Sequence, residues 1–453
     1  MMKMKRLHFF LLLAGLLLTA CGGDDDMATG SGNSKPVEPS TPTTPTTPTS
    51  WTLEITSPVT RGLSLNGNTV TPTWSTSDKI YVYYGNQCVG VLHPKENKAN
   101  AKDYVQLVGN LDTPTSGAYS DSGTLSFYYQ CDKGFSDYTL QGGTIASIAS
   151  DYDYHIAENV AITAVDAANR IVTVGQFNMV PQQAIARFSF TRDLKTNDII
   201  TIEENSILAS VKLKADVSEG GYVYVALPLS ASAASYDLTF TVTRGGDSYY
   251  KTKLLDKSMQ NGKTYQASTL VMAVKLGNAW WATRNLVDNK TYSVVSSPFT
   301  TSEKYNGSYF AWGEIKTRNY GFTSASYTAP SPLPTVLPSN LDAATEFCGS
   351  AWRMPTKAEA DALAGVNREW IVEGSKYCMK FSDSSKPDKY IIMPAGGAWN
   401  TDQIYPDRGF YWTSSIWSDN TTYSTRLDFN SANAYTYMGE RYLGCLIRPV
   451  LNI

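Results

Sequence analysis

Apolar and polar side chains alternate with a period of two along much of residues 51–272. The clearest runs are Lys79-Ile80-Tyr81-Val82-Tyr83-Tyr84, Thr124-Leu125-Ser126-Phe127-Tyr128-Tyr129 and Ala184-Ile185-Ala186-Arg187-Phe188-Ser189-Phe190. Tyr222-Val223-Tyr224-Val225-Ala226-Leu227 and Leu238-Thr239-Phe240-Thr241-Val242-Thr243 repeat the pattern. β-Branched and aromatic residues fill these runs, and Gly, Asn, Asp and Ser clusters separate them, which is the signature of half-buried strands. No stretch before residue 272 carries the spacing of an amphipathic helix. The pattern predicts a mainly β region of the sandwich type. Its length of about 220 residues exceeds one sandwich of about 100. Two β subdomains are therefore expected, with a break near 178–183.

The pattern changes at residue 273. Eight of the ten tryptophans lie beyond it, so the core of 273–453 is built differently. A short helix is expected near 341–347. A second begins at Thr356, where Thr356 and Glu359 stand at N-cap and N3 of a capping box. Pro355 disfavours helix at Met354, Ala358, Ala362 and Leu363 supply an apolar face, and Gly365 stops the run. Strands are expected at 390–393, 411–415 and 422–429, the last two joined by the turn Ser418-Asp419-Asn420. A final strand is expected at 444–450.

The N-terminus is patterned differently again. Residues 9–18 are an unbroken apolar block behind Lys3, Lys5 and Arg6. A bilayer-spanning helix needs about 20 apolar residues, so the block reads as the h-region of a secretory signal over residues 1–20. Residues 35–50 place proline at every third position, Pro36, Pro39, Pro42, Pro45 and Pro48. That period matches a polyproline II turn, and residues 21–50 read as a semi-rigid linker.

Composition narrows the function. The 453 residues carry a net charge of −3 and are 42% hydrophobic. A core can form, and the small, mixed charge excludes nucleic acid as a partner. Beyond the leader only His93 and His155 remain, far apart in sequence, and no phosphate-binding loop, nucleophile elbow or zinc-protease motif is present. No cofactor and no metal is expected, and no catalytic residue. Cys88, Cys131, Cys348, Cys378 and Cys445 show no CxxC spacing. One or two disulfides fit an oxidising compartment, and their pairing stays open.

Three resemblances give these elements a setting. Leu18-Thr19-Ala20-Cys21 resembles the lipobox of bacterial lipoproteins, which implies cleavage before Cys21 and its lipidation. The acidic run Gly22-Gly23-Asp24-Asp25-Asp26 resembles the surface-export signal of Bacteroides-type lipoproteins and implies a lipid anchor on the outer face of the outer membrane. The alternatives are an ordinary leader with a chance cysteine and a solvated acidic spacer. Val59-Thr60-Arg61-Gly62, Thr73-Trp74-Ser75-Thr76-Ser77-Asp78-Lys79-Ile80-Tyr81-Val82-Tyr83 and Asn261-Gly262-Lys263-Thr264-Tyr265 resemble the fimbrillin family of type V pili over residues 51–272. That resemblance implies a two-subdomain β-sandwich pilin. It also implies cutting by an arginine-specific protease at Arg61 and filling of the vacated groove by a neighbouring subunit's strand. The alternative for Arg61 is a solvent-facing residue at a strand edge.

The ordered motifs Trp-Ala-Thr-Arg-Asn-Leu (281–286), Trp-Arg-Met-Pro-Thr (352–356), Pro-Ala-Gly-Gly (394–397), Tyr-Trp-Thr-Ser-Ser (411–415) and Ile-Arg-Pro-Val (447–450) resemble the Fibrobacter-type major paralogous domain. That domain is similar to C-type lectins and to formylglycine-generating enzymes, so an α+β lectin-like fold is implied for 273–453. Its tryptophans read as core. The cysteine spacing does not match formylglycine chemistry. In Ala398-Trp399-Asn400-Thr401-Asp402, Trp399 is suited to stacking on a sugar, with Asn400 and Asp402 to accept its hydroxyl hydrogens; the alternative is a polar loop around a packed tryptophan. The expected protein is a lipid-anchored fimbrial subunit at the tip of the polymer. It joins other subunits by strand exchange and meets a host or bacterial glycan or protein ligand. The second reading is a tethered, non-polymerising glycan-binding protein.

Overall fold

The computed structural model describes residues 50–453 except 56–63, 67–68, 72–73, 99–104, 131–132, 134–136, 231–232, 291–296, 319–320 and 374. The expectations for the leader, Cys21, the linker, Arg61 and Cys131 fall outside the described residues. The described chain is mainly β, with thirty strands and three short α-helices.

The first ladder runs Ile171–Val174, Trp51–Ile55 (β1), Asn110–Leu111, Gln87–Pro94, Ile80–Tyr84, Thr124–Tyr129 and His155–Asp166. The last of these is twelve residues long. Its first half pairs with Thr124–Tyr129 and its second half returns to Ile171–Val174, so the ladder closes on itself. Alternate residues Ile80, Val82, Leu125 and Phe127 point inward and are fully buried. Phe177 stacks on Phe127 at 4.3 Å between ring centroids.

This ladder ends at Val180–Pro181, and the next begins at Ala184–Ser189. A three-stranded sheet, Tyr222–Leu227, Ala184–Ser189 and Thr264–Gln266, packs on an eight-stranded one. Phe188 meets Phe240 between them at 4.7 Å, edge to face. The larger sheet runs Ser206–Lys212, Ile199–Glu204, Tyr236–Arg244, Asp247–Lys257, Ala273–Leu276, Ala279–Ala282, Val450–Leu451 and Trp352–Arg353. It therefore crosses residue 273 without a gap, through the pairs Tyr250↔Val274 and Lys251↔Ala273. One continuous hydrophobic cluster holds Phe240, Trp281, Leu363, Tyr411 and Val450. Gly277 makes the turn between Ala273–Leu276 and Ala279–Ala282 at φ +60°, and a Cβ there would sit 2.8 Å from that of Ala362. Only glycine fits both demands.

The C-terminal region adds two three-stranded sheets, Asn367–Glu373 with Lys376–Ser382 and Tyr390–Pro394, and Gly409–Ile416 with Tyr423–Phe429 and Ala434–Glu440. The capping box forms as the sequence demands: Thr356 accepts from the Glu359 amide at 3.3 Å, and Glu359 accepts from the Thr356 amide at 2.7 Å. The helix it opens, Lys357–Ala364 (α3), buries Ala360 and Leu363. The helix expected near 341–347 is Ala343–Cys348 (α2), capped by Asp342. The motif tryptophans Trp281, Trp352 and Trp412 are buried, as is Trp312.

Two local expectations need correction. A helix does precede residue 272: Ile145–Asp151 (α1), capped by Thr144. At seven residues, with only Ser147 and Ile148 buried, it is too short to show a helical period. The final strand is only Val450–Leu451. Residues 444–449 bond instead to several neighbours in turn, because no single strand runs alongside them.

Candidate functional site

The two ends of the described chain are held in opposite ways. β1 is five residues long, with Trp51 and Leu53 facing the core and Thr52 and Glu54 facing out. It lies between strands remote in sequence. Thr52 to Ile55 run parallel to Ile171 to Val174, and Trp51 and Thr52 run antiparallel to Leu111 and Asn110. Trp51 meets Tyr119 edge to face at 5.1 Å. Its indole Nε1 is buried with no partner among the described residues, a lack that costs about 1–3 kcal/mol. β1 is thus an imperfect filler of its slot. Arg61 lies six residues beyond its end.

The far end is enclosed. Gly444 exchanges backbone hydrogen bonds with Trp399 at 2.8 and 2.9 Å, and Cys445 does so with Phe310 at 3.0 Å. Ile447 and Pro449 accept from the Leu286 and Ala282 amides. Arg448 is fully buried. It donates to Asn285 Oδ1 at 2.7 Å, to the Ala282 carbonyl at 2.9 Å and to the Ile392 carbonyl at 2.8 Å. Burial pulls its pKa down to about 10. Val450 and Leu451 finish inside the eight-stranded sheet.

Trp399, Asn400 and Asp402 come together in the turn between Ala398–Trp399 and Gln403–Ile404. Trp399 is half-buried, its ring edge to face with Tyr309 at 6.1 Å. Asn400 is half-buried and Asp402 exposed. The Asn400 carbonyl accepts from the Phe322 amide at 3.1 Å, so the turn is fastened from one side. No group of three His, Cys, Asp or Glu side chains placed to hold a metal ion occurs among the described residues. Cys88, Cys348, Cys378 and Cys445 are free thiols. Burial pushes Cys378 up to about 11, Cys445 up to about 12 and Cys348 well above the ordinary thiol range. At neutral pH these three are protonated and poorly nucleophilic.

A polar cleft lies beside the sheet that crosses residue 273. Arg192 grips Glu303 through both Nη atoms at 3.1 and 2.8 Å and reaches the Tyr390 carbonyl at 2.9 Å. Burial is the largest influence and opposes the Arg192 charge, but Glu303, Tyr390 and Tyr250 together outweigh it and raise the pKa. Arg244 holds Asp198 through Nε and Nη2 at 2.8 and 2.9 Å and meets Asp388 at 3.3 Å. Sequence reasoning missed this cluster, because its members lie up to about 200 residues apart and share no motif. The one available signal was Arg284, a charge inside the otherwise uncharged motif Trp-Ala-Thr-Arg-Asn-Leu.

No family model matches the chain, and no curated protein matches it. Among solved structures it is similar to the tip fimbrial protein Mfa3 from Porphyromonas gingivalis with a C-terminal truncation, at 9% identity and TM-score 0.22, over 46% of this chain and 82% of that one. It is also similar to a candidate adhesin from Bacteroides ovatus, at 6% identity and TM-score 0.20, over 51% of this chain and 95% of that one.

Proposed function

We propose that this protein is the precursor of a surface-exposed fimbrial subunit that accepts a strand at one end and ends the polymer at the other. Cys21 carries the lipid that holds the precursor at the outer membrane. Cutting at Arg61 detaches β1, and a neighbouring subunit's strand takes its slot by β-augmentation. The lectin-like region 273–453 is the adhesive head, with the turn at Trp399, Asn400 and Asp402 as one candidate contact for a glycan or protein ligand.

A single observation supports this reading most: β1 fills a slot between two non-sequential strands, whereas residues 444–451 are enclosed by the fold. A slot offers unpaired ladder groups and an apolar groove once emptied. Residues 444–451, with Arg448 buried among them, are engaged within the fold and are not offered as a donor strand. A subunit that receives a strand without donating one would sit at a filament end.

The test is the N-terminus of protein recovered from the cell surface. Mass spectrometry should find chains beginning at Gly62 in sheared fimbriae, and an Arg61→Ala chain should stay with the membrane. If polymer-associated chains retain residues 21–61, strand exchange at this slot is wrong, and the tethered glycan-binding reading takes its place.

A further inference from the structure

The polar cleft beside residue 273 encloses about 410 Å³, within the range of about 300–1,000 Å³ typical of small-molecule sites. Five cationic and four carboxylate side chains line it. A wall of mixed charge suits a polyhydroxylated body, whose hydroxyls both donate and accept. An apolar body would strip water from these groups and return no hydrogen bonds.

The arginines of the cleft are not equivalent. Arg244 holds Asp198 side-on with both Nε and Nη2 engaged. Arg192 holds the buried Glu303 end-on with both Nη atoms engaged, and its buried Nε has no partner among the described residues. Arg284 differs in its counter-ion, which is exposed and offers it one oxygen. Its Nη1 donates to the Thr283 carbonyl at 3.1 Å, and its Nη2 donates to a single oxygen of Glu219. Its Nε is buried with no partner among the described residues. The side-on edge of this guanidinium, Nε with Nη2, is therefore half used. The Arg284 side chain is 3% exposed, whereas that of Glu219 is 48% exposed. The cation is fixed, and its counter-ion reaches in from solvent.

We propose that this cleft binds the carboxylate of an acidic saccharide, which displaces Glu219 and bridges Nε and Nη2 of Arg284. A planar carboxylate matches the guanidinium fork and completes the missing hydrogen bond. Lys195 and Lys304, on the rim, have ammonium protons beyond those given to Asp216 and Glu373, and these meet the sugar hydroxyls. Glu219 then acts as a built-in competitor that keeps the buried charge paired when the cleft is vacant. This inference gives the adhesive reading a ligand class, but the binding itself needs no fimbria.

Calorimetric titration of the full chain with glucuronate and N-acetylneuraminate, against glucose and N-acetylglucosamine, tests it. The acids should bind at least about tenfold tighter than the neutral sugars, a difference that one charge-assisted fork readily supplies. Arg284→Lys removes the fork and should weaken the acids by about tenfold or more. Glu219→Gln removes the competing charge and should tighten the acids severalfold, while the urea midpoint of the vacant protein falls because the buried Arg284 charge loses its counter-ion. Equal binding of acid and neutral sugars overturns the proposal, as does acid affinity indifferent to Glu219→Gln, or no binding of either acid. Any of these leaves strand exchange at β1 untouched. An uncut Arg61 with normal acid binding sinks only the fimbrial reading.

Discussion

Detaching β1 is the perturbation with the most to reveal. Trp51 and Leu53 are its buried side chains, worth about 1.5–3 kcal/mol each, so about 3–6 kcal/mol together. Each ladder hydrogen bond adds about 0.5–1.5 kcal/mol net, and the orphaned Trp51 indole N–H subtracts about 1–3 kcal/mol. The gross hold is thus on the order of 5–10 kcal/mol. While the chain is intact, β1 is tethered and its effective concentration is in the millimolar range or higher. Once cut at Arg61 it must meet the full association cost of about 4–15 kcal/mol. Little or nothing is left, so the released segment should bind more weakly than about 1 μM, the equivalent of about 8 kcal/mol. The assay is specific proteolysis at Arg61, followed by size-exclusion chromatography at low micromolar concentration with mass spectrometry of each peak. The N-terminal fragment should separate from the body. Hydrogen exchange should then show deprotection in Ile171–Val174 and Asn110–Leu111, the strands flanking β1. A second arm uses the uncut chain: Leu53→Ala removes about 2–5 kcal/mol, comparable to the net hold, and should deprotect the same amides. A fragment that stays bound at nanomolar concentration, with flanking amides still protected, would refute the reasoning.

Other predictions follow from the C-terminal half. Arg448→Met should destabilise the fold by at least about 3 kcal/mol, because Asn285 and two buried carbonyls lose their donor at about 1–3 kcal/mol each; a urea midpoint within 0.5 kcal/mol of wild type, on the order-of-magnitude scale of surface changes, would contradict this. Burial raises the pKa of Asp428 to about 6 despite its ion pair with Arg426. The folded state therefore binds this proton more tightly than the unfolded one, and its contribution is present below about pH 4 and lost as pH rises through about 6. The loss is on the order of 3 kcal/mol, and Asp428→Asn should flatten that slope in denaturation measured from pH 4 to 7. Thr356→Ala should cost about 1 kcal/mol, since the capping box loses its N-cap acceptor, with a fall in thermal midpoint as the readout. A fragment of residues 273–453 should fail to reach cooperative unfolding alone. It would expose the Ala273–Leu276 edge that Asp247–Lys257 covers in the intact sheet; a sharp unfolding transition from the fragment would refute that.

The period-two runs became strands close to where alternation placed them: Thr124–Tyr129 and Tyr222–Leu227 match residue for residue. The Thr356 box opened α3 for the same reason, because a cap is a local contract between residues three apart. α1 escaped because seven residues hold too few turns to show a period. Nothing in Trp51-Thr52-Leu53-Glu54-Ile55 announces which strands it will join, since its partners stand about 60 and 120 residues away.

Local order in this protein is therefore legible from the chain alone: alternation sets which face of each strand is buried, and proline, glycine and capping residues set where elements stop. Closure of the first ladder around β1, continuation of the second sheet past residue 273, enclosure of Arg448 and the gathering of Arg192, Arg244 and Arg284 were decided only by tertiary structure. The physical reason is range. Alternation and capping act between residues a few positions apart. A slot, a sealed tail or a half-used guanidinium exists only after segments remote in sequence have packed and excluded water together.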